Sequence, residues 1–278
     1  MHNLHLDALL SEGKISIGLY HTAGKGTRLA PLPGGENNNK PGVKIPAMVN
    51  LQGKEVPVTI LESVIKQTGS YAPQRKGRLS VFWGDQVFIP TASCSVPPKY
   101  HADILCSLGP MMSEKEWKEK GMDKYGLIAQ SVTGAAQVEK VDHATAVELL
   151  TSLGEIVSVG ASLGSFSLSS KLLAALMTEY ASELAARKGK LDSDPHLWMP
   201  MTLTKSAYLH LMQQKGTCSE EAAEQYARME KMVAAFKADT STASLGLFGP
   251  VDVGQDVLWW DYGQLPLYQK NTLRLTEE

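Results

Sequence analysis

Gly24-Lys25-Gly26-Thr27-Arg28 stands directly after residues 15–20, an apolar run that reads as a β-strand. Glycines in that place let backbone N–H groups approach phosphate oxygens with no Cβ in the way. Ligands of open α/β sheets bind at the carboxyl ends of strands. Arg28, together with Lys25, Lys40 and Lys44, offers the positive charge that a polyphosphate needs. Two familiar phosphate loops fit badly. A Walker loop opens a helix, which Pro31 and Pro33 forbid, and the dinucleotide fingerprint needs a third glycine where Leu29 stands.

Two acids complete the chemistry. Gly84-Asp85 follows the apolar run 79–83, and Asp261 follows the run 258–260. Two carboxylates at strand ends beside a phosphate loop could share one Mg²⁺, which favours one or two carboxylates plus substrate phosphates and water. Either acid taken alone reads as a turn residue. Asp192 and Asp194 read as shaping a turn before a helix, and the neighbours of His196 do not make a metal site. His210 reads as structural. Trp198, Trp259 and Trp260 read as core or interface residues.

The elements that must hold these groups follow from periodicity and caps. Thr59 caps a helix carrying Ile60, Val64 and Ile65 on one face, which Gly69 closes. Residues 125–138 read as strand, turn at Gly134, strand. Residues 145–153 read as a helix, 156–168 as a strand interrupted by glycines, and 171–187 as one helix. Ser219 begins another helix, with Glu220 and Glu221 suited to its positive end and Ala222, Tyr226, Met229, Val233 and Phe236 in one apolar stripe. Strands alternating with helices predict an α/β class with a mostly parallel sheet. Residues 1–278 are expected to form one domain, with a helix-rich subdomain at about 168–237.

Composition bounds the function. The chain has 278 residues, 43% hydrophobic and 20% charged, which excludes disorder for most of its length. Its formal net charge of −2 lacks the basic footprint of a nucleic-acid binder, so no nucleic-acid partner is expected. Cys94, Cys106 and Cys218 form no disulfide framework. No apolar run approaches a membrane span, so no membrane partner is expected. The first residues carry acids and lack the basic-then-apolar order of a secretory signal. The cytoplasm is the expected location, or an organelle if a transit peptide is absent from this sequence. A homo-oligomer is left open.

The run from Ala23 to Pro33, with Lys40 after it, resembles the G-x-G-T-R-x-x-P…K opening of the sugar-1-phosphate nucleotidyltransferases, the nucleotide-sugar pyrophosphorylases. Gly84-Asp85 resembles their first metal-aspartate motif. Tyr125-Gly126 and Glu139-Lys140 resemble the sugar-site Y-G and E-K pairs. Ser162-Leu163-Gly164 resembles the N-x-G strand. Trp260-Asp261-Tyr262-Gly263, then Tyr268 and Asn271, is similar to the closing W-x-D-x-G…Y…N. The motifs stand in family order from Gly24 to Asn271. Only about 60 residues separate the phosphate loop from Asp85, a stretch that most relatives lengthen to read the base.

The resemblance implies a Rossmann-like, mixed and mostly parallel sheet flanked by helices, of the nucleotide-diphospho-sugar transferase type. It implies Mg²⁺-dependent nucleotidyl transfer from a nucleoside triphosphate to a hexose 1-phosphate, with UTP and glucose 1-phosphate the first guess from family frequency. Backbone at Ala23, Gly24, Lys25, Gly26 and Thr27 would cradle the nucleotide. Arg28 and Lys40 would work on the reacting phosphates, with Lys44 as the alternative lysine. Asp85 and Asp261 would bind Mg²⁺. Tyr125, Gly126, Glu139, Lys140, Ser162 and Gly164 would hold the sugar phosphate. The rival readings are a glycosyltransferase that uses a nucleotide-sugar, and a catalytically silent relative that binds one and regulates a partner.

Overall fold

A computed structural model of the chain describes residues 4–22, 26–33, 35, 39–91, 96–151, 153–187 and 192–275. Its elements run α1 (Leu6–Ser11), β1 (Ile17–His21), β2 (Lys44–Leu51), β3 (Lys54–Thr59), α2 (Ile60–Thr68), β4 (Arg78–Trp83), β5 (Gln86–Ile89), β6 (Tyr100–Gly109), α3 (Glu114–Glu119), β7 (Gly126–Ser131), β8 (Ala135–Glu139), α4 (His143–Thr151), β9 (Ile156–Ser169), α5 (Ser170–Glu179), α6 (Ala181–Ala186), α7 (Met199–Thr202), α8 (Lys205–Gln214), α9 (Ser219–Ala238), β10 (Gly246–Asp252), β11 (Leu258–Asp261) and α10 (Leu265–Arg274).

The fold is α/β, a mixed sheet flanked by helices. Seven strands follow the path β1-β4-β9-β6-β10, with β7 on β9 and β8 on β7. β1 pairs with β4 in parallel, as β6 does with β10. β9 runs against both β4 and β6, so the other four strands of the path share one direction. The core is therefore mostly parallel, while the β7–β8 extension is antiparallel. Among the described residues no strand pairs with the outer edge of β1.

Side-chain alternation sorts the core onto two faces. Along β6, Ala102, Ile104 and Cys106 meet Met229, Met232 and Phe236 of α9, while Leu105 meets Phe82, Val64 and Tyr71 on the opposite side. The stripe on α9 differs from expectation at one position, since Met232 is buried and Val233 only partly. The Thr59 cap forms, with a reciprocal bond pair to Glu62.

Other expectations are corrected. Residues 156–168 lie in one unbroken 14-residue strand, β9. Gly160 sits there because a Cβ would stand 1.9 Å from the carbonyl oxygen of Ser107 on β6. The single helix expected over 171–187 is broken at Tyr180, whose buried ring lies 4.2 Å under the Arg228 guanidinium. Lys44–Leu51 and Lys54–Thr59, which are not among the strands expected from the sequence, form the antiparallel hairpin of β2 and β3. β6 itself carries no clear apolar signature, because His101 and Asp103 interrupt the run. Both are buried, and Asp103 is held at 2.6 Å by Arg75 and 3.2 Å by Arg78. No helix among the described residues is long and apolar enough to cross a membrane.

Candidate functional site: a pair of strand-end carboxylates and an adjoining row of polar residues

Strand β4 delivers Asp85 to the carboxyl edge of the sheet. Gly84 lets it lie against the end of β1, where its N–H donates to the His21 carbonyl at 2.9 Å. A Cβ on Gly84 would stand 2.9 Å from the Thr22 methyl group. β5 leads away and pairs antiparallel with β11, which sets Asp261 opposite Gln86. Tyr262 N–H then donates to the Asp85 carbonyl at 2.9 Å. Two acids far apart in sequence thus become backbone neighbours. Gly263 leaves space between them. A Cβ there would be 2.9 Å from Asp261 Oδ1, 3.3 Å from Asp85 Oδ2 and 3.7 Å from Lys40 Nζ.

The closing helix α10 supports this pair. Buried Asn271 donates from Nδ2 to the Asp261 carbonyl at 2.9 Å. Tyr268 donates its hydroxyl to the Lys44 carbonyl at 2.5 Å. Lys40, in the short helical turn Lys40–Gly42, is buried and places Nζ 2.5 Å from Asp85 Oδ2. Lys44 goes elsewhere, donating from Nζ to the Pro57 carbonyl at 3.1 Å across the β2–β3 hairpin. Of the two candidate lysines, Lys40 is the one that meets the acids.

The charges are unbalanced in a useful way. Burial holds the Asp261 carboxyl above the usual carboxylate range. The Gly263 N–H opposes that shift, the Asp85 charge adds to it, and Lys40 and Arg28 oppose it in turn. Among the described residues Lys40 pairs with Asp85 and not with Asp261, so two neighbouring carboxylates lie beside one buried ammonium and a second cation at this place would be favoured. Among the described residues no three His, Cys, Asp or Glu side chains gather around a metal position. A site offering two carboxylates fits Mg²⁺, which leaves its other positions to water and phosphate.

Ala23, Gly24 and Lys25 lie outside the described residues. The backbone of Gly26 and Thr27 opens a 3₁₀ turn, Gly26–Leu29, that carries Arg28. Leu29 is fully buried and α10 packs against this turn. Arg28 is exposed, and its charge reaches Asp261.

The residues expected to hold a sugar gather along the same edge. The Lys140 N–H donates to the Tyr125 carbonyl at 3.0 Å, which joins the Y-G and E-K pairs. The Tyr125 ring stands edge-on to Trp259, 5.2 Å away, two residues from Asp261. Gly164, at φ +74°, makes room for the Trp83 indole; a Cβ there would stand 2.3 Å from Trp83 Nε1. The Ser162 hydroxyl accepts from the Gly164 N–H at 3.1 Å. Lys140, at φ +53°, puts Nζ 2.7 Å from Glu139 Oε1.

The part that three neighbouring residues play here escapes a reading of the sequence. Asp194 opens a π-helical turn, Asp194–Trp198, and its carboxyl accepts from Gln137 Nε2 on β8. It does shape a turn as expected, yet it also reaches Gln137 on β8. Burial, with Glu139 adding to it, pushes Asp194 up to about 7. Lys215, just after α8, donates from Nζ to the Glu139 carbonyl at 2.7 Å. Burial holds its ammonium below the usual lysine range. Gln137 is the third, a buried amide in an otherwise apolar stretch of β8. The signal that could have found it is alternation, since Gln137 and Glu139 share a face while Ala136 and Val138 enter the core. His196 is structural, with Nδ1 3.0 Å from the Asp192 backbone. Trp198 and Trp260 are core residues.

A scan of protein-family models finds none that matches this chain, and no curated protein matches it significantly.

Proposed function

We propose that this chain is a sugar-1-phosphate nucleotidyltransferase with a fold of the nucleotide-diphospho-sugar transferase type. It would join a nucleoside triphosphate to a hexose 1-phosphate and release pyrophosphate, with UTP and glucose 1-phosphate the first pair to try. The observation that carries the reading is the meeting of Lys40, Asp85 and Asp261 at the carboxyl edge of a mostly parallel sheet. Gly126, Glu139, Lys140 and Ser162 lie along the same edge. A glycine-rich turn, an acid pair and this polar row suit two phosphorylated substrates laid end to end.

The chemistry needs positioning and charge neutralisation rather than a covalent intermediate. A sugar-phosphate oxygen attacks the α-phosphorus in line, that bond forms as the bond to pyrophosphate breaks, and the leaving group takes the electron pair. The nucleophile is already an anion, so no general base is required. Mg²⁺, held by Asp85 and Asp261, would offset the repulsion between the two anionic substrates. Lys40 holds Asp85 and offers an ammonium to the reacting phosphate. Arg28 offers a fork of donors to the pyrophosphate oxygens as charge builds there. Lys140 and Lys215 bring positive charge for the sugar phosphate.

Pyrophosphate release is the test, across nucleoside triphosphates and hexose 1-phosphates with Mg²⁺. One preferred pair is expected, and Asp85→Ala or Asp261→Ala should abolish its turnover. Full activity in either variant would remove the metal assignment. Binding of a nucleotide-sugar with no turnover by the wild type would replace the proposal with a regulatory role.

A further inference from the structure

His101, the second residue of β6, is a titratable side chain in the core, 3% exposed. Both of its ring nitrogens are bonded. Nε2 lies 2.8 Å from the Thr242 carbonyl oxygen, and Nδ1 lies 2.7 Å from the Ser169 hydroxyl. These partners fix the tautomer. A carbonyl only accepts, so Nε2 carries the hydrogen. The Ser169 hydroxyl caps α5 by accepting from the Leu172 N–H at 3.2 Å, and its one hydrogen goes to the lone pair of Nδ1.

Several segments meet at this ring. Ser169 ends β9 and caps α5, and Thr242 lies in the helical turn Thr240–Thr242 between α9 and β10. The Phe236 ring of α9 stands edge-on to the imidazole, 4.8 Å away. The same turn is held at Ser241, whose carbonyl accepts from Lys171 Nζ on α5. The Thr242 hydroxyl donates back to the Phe236 carbonyl at 2.8 Å. α9 is the helix that packs on Ala102, Ile104 and Cys106 of β6. The bond from His101 to Thr242 therefore pins the end of that helix to the amino edge of the sheet.

We propose that His101 is a proton-sensitive latch between β6, α5 and the turn after α9, closed while its imidazole is neutral and opened when the imidazole takes a proton. The latch does not depend on what the carboxyl edge of the sheet binds. A proton on Nδ1 takes the place of the Ser169 hydrogen and puts a cation in the core. Burial holds the imidazole below its ordinary value of 6.5. The bond to Thr242 opposes that shift, Arg78 of β4 and Lys171 of α5 add to it, and Asp103 of β6 opposes it while itself held by Arg75 and Arg78. Once the joint opens, the ring meets water and takes a proton below 6.5. The tie is thus at full strength above that pH and weakens as pH falls from it. The open fraction should rise about tenfold for each further pH unit, for as long as the closed ring stays neutral.

Hydrogen exchange at single amides of the full chain, corrected for intrinsic rates, reads this opening between about pH 7 and about pH 5. The Leu172 and Gly246 amides report the joint, since they bond to the Ser169 hydroxyl and the Lys99 carbonyl. In wild type their opening should grow about tenfold per pH unit below about 6. In His101→Gln it should stay level, because a glutamine amide can donate to Thr242 and accept from Ser169 yet takes no proton. The other histidines titrate in both proteins, so the difference isolates His101. An equal slope in the folded variant overturns the inference. The wild-type imidazole gives a second reading that needs no variant. Its nitrogen resonances should show hydrogen on Nε2 and keep that pattern as pH falls past 6.5. Hydrogen on Nδ1, or titration at the ordinary value, overturns the inference whether or not His101→Gln folds.

Discussion

Lys40→Met probes the charge arithmetic of the site without any assumption about substrates. In the native protein the Lys40 ammonium lies 2.5 Å from Asp85 Oδ2, with side-chain exposures of 8% and 17%. Methionine keeps the length and the buried methylenes and removes only the charge. Asp85 is then left beside Asp261 with no adjacent cation. Breaking a buried pair by removing one partner costs roughly 3–5 kcal/mol. Asp85 retains some contact with water, so the low end applies, about 3 kcal/mol. For a chain of this size that lowers Tm by roughly 5 °C. A divalent cation held by both carboxylates should restore what the lysine supplied. Thermal melts in EDTA and in millimolar Mn²⁺ measure this directly. In EDTA the variant should melt well below wild type, and Mn²⁺ should stabilise the variant more than wild type, since no ammonium competes for Asp85. Equal melting in EDTA, or an equal Mn²⁺ shift in both proteins, would refute the picture of two neighbouring acids beside one buried ammonium.

Two further predictions concern Asp194 and Gly164. Asp194 titrates near 7 in the folded chain, against 3.8 as its ordinary value, with Glu139, Lys140, Lys215 and Gln137 facing it. The folded state keeps a proton that the unfolded state has lost, so stability should fall as pH rises from about 4 to about 7, by at most about 4 kcal/mol. Urea midpoints across that range should slope down in wild type and flatten in Asp194→Asn; parallel curves would deny the buried carboxyl. Gly164→Ala should cost about 3 kcal/mol, from a left-handed φ and a methyl driven into the Trp83 indole. Wild-type melting in that variant would mean that the indole is free to move aside.

Some of this was legible because it is local. Thr59 and Glu62 spell a capping box that needs only the four residues it spans. Strands β4 and β11 are apolar runs ended by an acid, and both acids lie where those strands end. β6 was hidden for the opposite reason. His101 and Asp103 look like loop residues until Arg75 and Arg78, from a separate stretch of chain, neutralise Asp103 in the core. β10 was hidden by Gly246, Gly249 and Pro250, whose small or closed side chains lie by the Tyr100 ring and on a sheet edge.

The sequence by itself determined an α/β chain with a glycine-rich run after its first strand, two strand-end acids and a set of ordered polar motifs, because residue type and spacing encode turns, caps and strand ends. The tertiary structure decided which groups meet. Lys40 rather than Lys44 reaches Asp85, because the β2–β3 hairpin turns Lys44 toward Pro57. Asp85 joins Asp261 through the β5–β11 pairing, a contact between distant segments that no local pattern records. Asp194 becomes a half-buried carboxyl beside Gln137, because the core packing of Trp198 and Met199 carries its turn onto β8. Charge, burial and ligand geometry are properties of such long-range contacts, and they exist only once the chain has folded.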